Sequence, residues 1–473
     1  MSAPLDLDLD LDLDLVRHAT GGRVTVRAAE RWEGVTIDGR TARPGELYFA
    51  IRGAAHDGHT FAAQAVAAGA TGLVVAADHT APLPAGVTII VVADPSLALA
   101  EVARAHRRRM PARVIGVTGS SGKTTTKELL HALLAGVVGA DHVLASVGSL
   151  NNETGVPLTL LRLRPEHRFA VVEMGMRGLG HIAYLGRFAE QEIGVVVNAG
   201  TAHVGVVGSA AAIVEGKSEV FATLPPQGHA VYPADDPRLT ARALALVPAD
   251  RHVTFGTAAG ATVRILSITP RDDRALGSNL LVEVGGATLT VAVPLVGRHN
   301  ADNAACALAV AVALGLDPAA SAHALASARP AAMRSQVERL ADRAVLVDCY
   351  NANPDSMRAA IATLAELAAG RRTVAILGDM LELGDAEADE HAAVGAALAA
   401  AGISALITVG ERARHLARGA RAAGLTDVHE TLDPTAAAHA ALARTAPGDW
   451  LLIKASRGMR LERVLDALKE ATR

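Results

Sequence analysis

Apolar, β-branched runs alternate with alanine-rich stretches of helical period along almost the whole chain. Parallel strands can be joined only through a crossover of a dozen or more residues, usually a helix. The alternation therefore predicts an α/β fold built on parallel sheets. A chain of 473 residues exceeds what one hydrophobic core can serve, so two to four domains are expected.

Three blocks emerge: 1–110, a small α/β N-terminal domain; 111–330, a central P-loop domain with a parallel sheet; and 331–473, a C-terminal Rossmann-like domain. The basic stretch Arg104–Arg109, followed by Pro111, ends a helix and reads as a linker. In the central block, Leu280–Val284, Gly285-Gly286 and Leu289–Val293 read as a hairpin. The third block opens its first helix with Asn353 as cap, Pro354 in the first turn, and Met357, Ile361 and Leu364 as an apolar stripe. The Leu-Asp alternation from Leu5 to Leu15 has a strand's period but is filled with Asp, which strands avoid, so an irregular or frayed extension is expected.

Composition excludes several classes. Half the residues are hydrophobic, yet the longest apolar runs, such as Ala304–Leu314, fall short of the roughly 20 residues of a membrane helix. No secretory signal is visible. The two cysteines, Cys306 and Cys349, sit in apolar patterns, which fits a reducing cytoplasm and excludes a disulfide framework. A formal charge of -4 with 3% aromatic residues leaves neither the basic footprint nor the stacking residues of a nucleic-acid binder. A monomer without membrane insertion is expected.

The sharpest local signal is IGVTGSSGKTTTKE at 115–128, a strand that runs through glycines into a helix opening at Lys123. Helix-start amides and a lysine ammonium together bind phosphate. Gly119, Ser120, Ser121, Gly122, Lys123, Thr124 and Thr125 are thus candidates for ATP, with the Thr124 hydroxyl directed to Mg²⁺. Gly116 lies six positions before Gly122 where the usual motif has five, so this is a GxxGKT variant.

The segment TGSSGKTTTKE resembles the phosphate loop of the Mur ligases, above all that of their dipeptide-adding branch. Further segments agree in order: SLNNETGVPLTLL (149–161), VVEMGMRGLGHI (171–182), NAGTAHVGVVGS (198–209), EGKSEVF (215–221), GRHNADNA (297–304), DCYNANPDSM (348–357), ILGDMLELG (376–384) and KASRGM (454–459). The resemblance spans all three blocks. It implies a cytoplasmic, ATP- and Mg²⁺-dependent acid–amino-acid ligase. Such an enzyme joins D-alanyl-D-alanine to UDP-N-acetylmuramoyl-tripeptide through an acyl phosphate, in peptidoglycan precursor synthesis.

Lys123, Glu173, His203 and Lys217 are the catalytic candidates, and Thr124, Glu173, His203 and Lys217 the metal ligands. Glu173 ends the apolar strand Phe169–Val172, where a carboxylate can reach a metal; a solvated strand end is the plain alternative. His203 is a neutral imidazole for a second Mg²⁺, or else a turn residue. The resemblance implies that Lys217 is carbamoylated, which turns it into an anion; alone it reads as a surface lysine. Asn151 and Asn152 offer amides to the transferring phosphate or cap a helix. Asn300, read as a helix cap, and Asn303 face the adenine by resemblance, and Arg334 and Asp348 hold ATP.

Tyr350, Asn351 and Asn353 face the cleft in this family. Lys454, Ser456 and Arg457 look placed for the dipeptide carboxylate, against a salt bridge as the alternative. IDGRTARPGELYFAIRGAAHDGHTF (37–61) resembles the uridine-binding region, with Asp38, Arg40, Asp57 and His59 as its polar candidates. The chain departs from the family pattern at Gly39, Pro233, Cys349 and Ala455, and at Val206 and Val207. A sister ligase for diaminopimelate or glutamate is disfavoured: the DNPR motif expected of a diaminopimelate-adding enzyme is absent, and GSSGKT differs from the GTNGK form of several sisters. A guanine-dependent switch would need NKxD, which is also absent. An inactive paralogue would not be expected to keep Lys123, Glu173, His203 and Lys217.

Overall fold

The computed structural model describes residues 9–53, 56–200, 209–271, 276–340 and 343–472. They form two compact units: residues 1–116, 141–174 and 183–192, and residues 117–140, 175–182 and 193–473. The chain is a mixed α/β protein with largely parallel sheets, as its alternating pattern requires.

The first unit begins with β1 (Leu11–Asp12), β2 (Arg23–Val26), β3 (Arg31–Trp32), β4 (Gly34–Thr36), β5 (Glu46–Phe49), β6 (Gly72–Ala76) and β7 (Thr88–Val92). β4, β5, β6 and β7 are parallel neighbours, and β2 closes the sheet antiparallel to β7. The same unit holds the row β8 (Arg113–Thr118, whose last two residues belong to the second unit), β10 (Phe169–Glu173) and β9 (Val143–Ala145).

The Leu-Asp repeat differs from expectation wherever it is described. β1 pairs antiparallel with β3, and Asp12 then caps the helix Leu13–Thr20 by accepting from the Leu15 N–H at 2.6 Å. Leu9, Leu11, Leu13 and Leu15 are all buried, while Asp10 and Asp14 face solvent. Period two puts Leu9 and Leu11 on one side of the extended segment, Leu13 and Leu15 are buried from the helix that follows, and Asp12 at the crossover suits a helix cap. Tertiary burial of the leucines outweighs the poor strand propensity of Asp.

The basic stretch is no free tether either. The helix Pro95–Arg107 ends with Arg104 and Arg108 both on Glu190, at 2.8 and 2.5 Å, and Arg113 reaches Glu192 at 3.0 Å. Positive side chains at a helix C-terminus favour the dipole, and the two glutamates fix them in place.

In the second unit, β11 (Ile193–Val196), β12 (His229–Pro233), β13 (His252–Gly256) and β14 (Val263–Pro270) run parallel, and β15 (Ser278–Val284) and β16 (Ala287–Val293) add the expected hairpin. Gly285 and Gly286 take φ of 58° and 79°, the two left-handed positions that a tight hairpin demands.

The second sheet of this unit has the order β17 (Gln336–Leu340), β18 (Arg343–Val347), β22 (Trp450–Lys454), β19 (Thr373–Gly378), β20 (Ala405–Val409) and β21 (Val428–Thr431), parallel except at β17. Its strands alternate between two cores. Leu346, Leu377, Leu406 and Leu452 pack with Met357, Ile361 and Leu364 on one face. Val345, Ile376, Ile407 and Ile453 meet Leu465 and Leu468 on the other. This is the doubly wound arrangement. The helix Pro354–Ala368 starts as the sequence dictates, with Asn353 and Ser356 forming a capping box and Pro354 in the first turn. Among the described residues no helix is long and apolar enough to cross a membrane.

Packing of the repeat is testable. Leu11→Ala should cost about 2–5 kcal/mol in denaturant unfolding of the first unit, whereas exposed Asp10→Asn should stay within about 0.5 kcal/mol. Equal effects would show that the repeat is not packed as described.

Candidate active site

β8 delivers the chain to a turn whose backbone has no alternative to glycine. Gly122 sits at φ 77°, and a Cβ there would stand 2.5 Å from Asn303 Oδ1; Gly119 is pressed against Val197. The helix Lys123–Val138 then begins, with Gly122 as its cap residue and no side-chain cap. A helix start of this kind, with its N–H groups and its dipole, favours an anion. Lys123 Nζ folds back to the Gly119 carbonyl at 2.6 Å, so the ammonium stays over the loop. Thr124 is buried in the first helical turn, and Thr125 is half-buried.

Asn198, at the end of β11, locks this turn. Its Oδ1 accepts from Ser121 N–H at 3.0 Å and its Nδ2 donates to the Ser121 carbonyl at 3.1 Å. Its own carbonyl accepts from Ser120 N–H at 3.1 Å. Sequence reasoning quoted the segment but gave Asn198 no role. The signal was an Asn directly after an apolar strand, and only the fold brings it to the loop.

Lys217 lies on the helix Ala210–Ala222, fully buried, and its Nζ has no hydrogen-bond partner among the described residues. Burial pushes its pKa well below the usual lysine value, and the nearby Lys123 charge pushes the same way. Burial of this amine beside a phosphate-type turn disfavours its charged form. His203 lies outside the described residues, as do Val206 and Val207. Among the described residues no three His, Cys, Asp or Glu side chains converge on a metal position.

Asn300 is not a cap. Gly297 is the cap residue of the helix Arg298–Ala313, and Asn300 lies in its first turn, buried, donating from Nδ2 to the Val296 carbonyl at 2.8 Å. Glycine at φ 90° leads the chain in, leaving the Asn side chain to bond backward. Asn303 donates to Asn300 Oδ1 at 3.0 Å and packs behind Gly122.

In the first unit, Glu173 is buried at the end of β10 and accepts from Asn151 Nδ2 at 2.8 Å. Asn152 Oδ1 accepts from Gly155 N–H at 2.8 Å and from Thr154 N–H at 3.3 Å, while Thr154 is the cap residue of the helix Gly155–Leu160. Asp38 and Arg40 form an exposed bidentate pair at 2.8 and 2.7 Å, and Arg40 lowers the Asp38 pKa. Asp57 Oδ1 accepts from His59 Nδ1 at 2.6 Å, while His59 Nε2 accepts from Ala76 N–H at 2.9 Å, which fixes the ring's tautomer. His59 stacks on His79 at 4.5 Å, and Arg52 bridges Asp57 and Asp78. His79, Arg52 and Asp78 carry no motif and were missed. Gly39 has a local cause: a Cβ there would stand 2.8 Å from the Phe61 carbonyl.

In the second sheet, Lys454 is buried and committed to Asp348 Oδ2 at 2.5 Å, with the Asn351 carbonyl at 3.1 Å. Asp348 Oδ1 accepts from Ser335 N–H at 3.1 Å. Ser456 is buried, its hydroxyl accepting from Leu381 N–H at 2.9 Å and donating to the Ala352 carbonyl at 3.3 Å. Arg457 is exposed and paired with Glu462 at 2.8 Å. Arg334 lies over the Tyr350 ring. Ala455 faces Gly378, where a Cβ would stand 2.7 Å away, and Cys349 is buried, its thiol pushed up to about 12. Pro233 ends β12, where no ladder N–H is needed.

Three family models match in order: Mur ligase family, catalytic domain, at 31–107; Mur ligase middle domain, at 117–311; and Mur ligase, glutamate ligase domain, at 333–457. The UDP-N-acetylmuramoyl-tripeptide--D-alanyl-D-alanine ligase of Bacillus subtilis is 33% identical over 93% of each chain. The chain belongs to the Mur ligase family. The structure of MurF from Acinetobacter baumannii matches this Mur ligase with a TM-score of 0.87 and 30% identity, over 98% of this chain and 100% of that one. MurF from Thermotoga maritima, solved in complex with ADP, matches at 0.81 and 27%, over 92% and 97%.

Asn198→Ala should remove its two hydrogen bonds to the Ser121 backbone and raise the ATP KM of this ligase by about 5- to 150-fold, the range expected for ~1–3 kcal/mol. An unchanged KM would show that the loop holds its shape without Asn198.

Proposed function

We propose that this Mur ligase joins D-alanyl-D-alanine to UDP-N-acetylmuramoyl-tripeptide at the expense of ATP, as a monomer in the cytoplasm. The observation that carries the reading is the cationic glycine turn at Gly119–Lys123 with Lys217 buried nearby, its pKa lowered and its Nζ without a hydrogen-bond partner among the described residues. The choice of substrates is supported by 33% identity with a UDP-N-acetylmuramoyl-tripeptide--D-alanyl-D-alanine ligase over 93% of each chain. In this reading the three sequence blocks serve the UDP-linked substrate, ATP and the incoming amine respectively.

A free carboxylate is a poor acyl donor, because its oxygen leaves badly and its charge repels nucleophiles. An oxygen of the tripeptide's terminal carboxylate attacks the γ-phosphorus, the bond to the bridging oxygen breaks, and ADP departs. Lys123 and the helix-start N–H groups hold the charge that accumulates on the phosphoryl oxygens. The neutral amine of the dipeptide then attacks the acyl carbon, a tetrahedral intermediate expels phosphate, and the nitrogen loses its proton.

Asn300, Asn303, Arg334 and Asp348 serve ATP in this proposal, as does Asn152. Asp38, Arg40, Asp57 and His59 serve the uridine end. Asn351, Asn353, Lys454, Ser456 and Arg457 shape the dipeptide side, Lys454 and Ser456 by holding the strand-end loops that their hydrogen bonds join.

The residues also suit Mg²⁺. An uncharged Lys217 amine can add CO₂ to give an anionic carbamate, and with Thr124, Glu173 and His203 it would supply oxygen and imidazole donors. Bound Mg²⁺ would neutralise phosphate charge. Lys217 itself stays inert as an ammonium, so its lowered pKa is what opens this chemistry.

Phosphate release from ATP, measured with UDP-muramoyl tripeptide and a panel of amines, should be stimulated by D-alanyl-D-alanine alone; equal stimulation by single amino acids would defeat the substrate assignment. Lys217→Ala should lose activity and regain part of it with added short carboxylates. Full activity without rescue would remove the carbamate.

A further inference from the structure

Arg334 is carried on a turn between two non-glycine residues in the left-handed region, Met333 at φ 59° and Ser335 at φ 47°. Such conformations are unfavourable and persist only where the surroundings over-determine them. Three contacts within the second unit do so. Tyr350 N–H donates to the Met333 carbonyl at 3.2 Å. Ser335 N–H donates to Asp348, whose other oxygen is fixed by Lys454. His299, from the helix that also carries Asn300 and Asn303, sets its Nε2 3.2 Å from Ser335 Oγ.

On this pinned turn the Arg334 guanidinium lies over the face of the Tyr350 ring, 4.1 Å from its centroid. Arg457 reaches the same ring at 5.9 Å, but its charge is met by Glu462. Among the described residues no carboxylate or carbonyl takes up the Arg334 side chain. A ring face attracts a cation without neutralising it or occupying its N–H donors, whereas a carboxylate does both.

We propose that Tyr350 is a positioning residue of the nucleotide site: its ring holds the Arg334 guanidinium, uncommitted and preoriented, for the oxygens of ATP. The role differs from contact with the dipeptide, and it rests on the reading that Arg334 binds ATP. A long side chain already held in place loses less freedom when its ligand arrives, so the ring acts on nucleotide affinity rather than on chemistry.

Steady-state kinetics of the full chain, with ATP varied at saturating partners, test this. Tyr350→Leu should raise the ATP KM by about 5- to 10-fold, with kcat within about twofold and the dipeptide KM unchanged. Tyr350→Phe, which keeps the ring face, should behave as wild type. Arg334→Lys should also raise the ATP KM, and adding Tyr350→Leu to it should change little further. Tyr350→Met carries the same expectation should leucine unfold the protein. A rise in the dipeptide KM instead of the ATP KM, or failure of phenylalanine to substitute, overturns the proposal. If Arg334→Lys raises the ATP KM and Tyr350→Leu does not, the positioning role falls and the nucleotide role of Arg334 stands. If Arg334→Lys leaves the ATP KM unchanged, both fall.

Discussion

The turn from Gly119 to Lys123 is the constraint around which the second unit is arranged. A phosphate can be gripped by backbone N–H groups only where the backbone comes close and no Cβ intervenes, so glycine is required at Gly122, whose φ is 77°. Glycine also makes the loop soft, and the neighbouring strand end compensates: Asn198 hydrogen-bonds Ser121 on both its N–H and its carbonyl side. Behind the loop, Asn303 and Asn300 are tied to each other and to Val296. The turn is thus held by side-chain amides, which carry no charge of their own to compete with a phosphate.

Charge is managed by burial. Lys123 remains near its loop, while for Lys217, nearby and enclosed, desolvation and then Lys123 itself push the pKa well below the usual lysine value. Two ammonium groups in one dry region repel, which disfavours the second charge. In the other sheet of the unit the arrangement is different: Lys454 is paired with Asp348, and that pair anchors the turn of Arg334 through Ser335. A buried pair of this kind adds little net stability, but removing one partner leaves an uncompensated charge.

Features that depend on near neighbours in sequence were legible beforehand. The capping box at Asn353, the Gly285-Gly286 hairpin and the strand-turn-helix of the phosphate loop are each set by a few adjacent residues and their φ preferences. The alternating core faces of β18, β19, β20 and β22 follow from period two. The Leu-Asp segment shows the limit of such reading, because propensity argued against a strand and burial against Trp32's strand decided otherwise. Asn300 shows another: Asn near a helix start suggests a cap, yet glycine at 297 had already turned the chain.

The sequence by itself determined the α/β class, the order of the elements, the family likeness and the chemical kinds of the candidate residues, since these rest on periodicity, local backbone preference and ordered motifs. Only the tertiary structure decided which of those residues are committed to one another. Asn198 reaches Ser121 across 77 positions, Lys454 reaches Asp348 across 106, and His299 reaches Ser335 across 36. Hydrogen bonds and desolvation depend on distance in space, and no local pattern encodes which strand ends will meet.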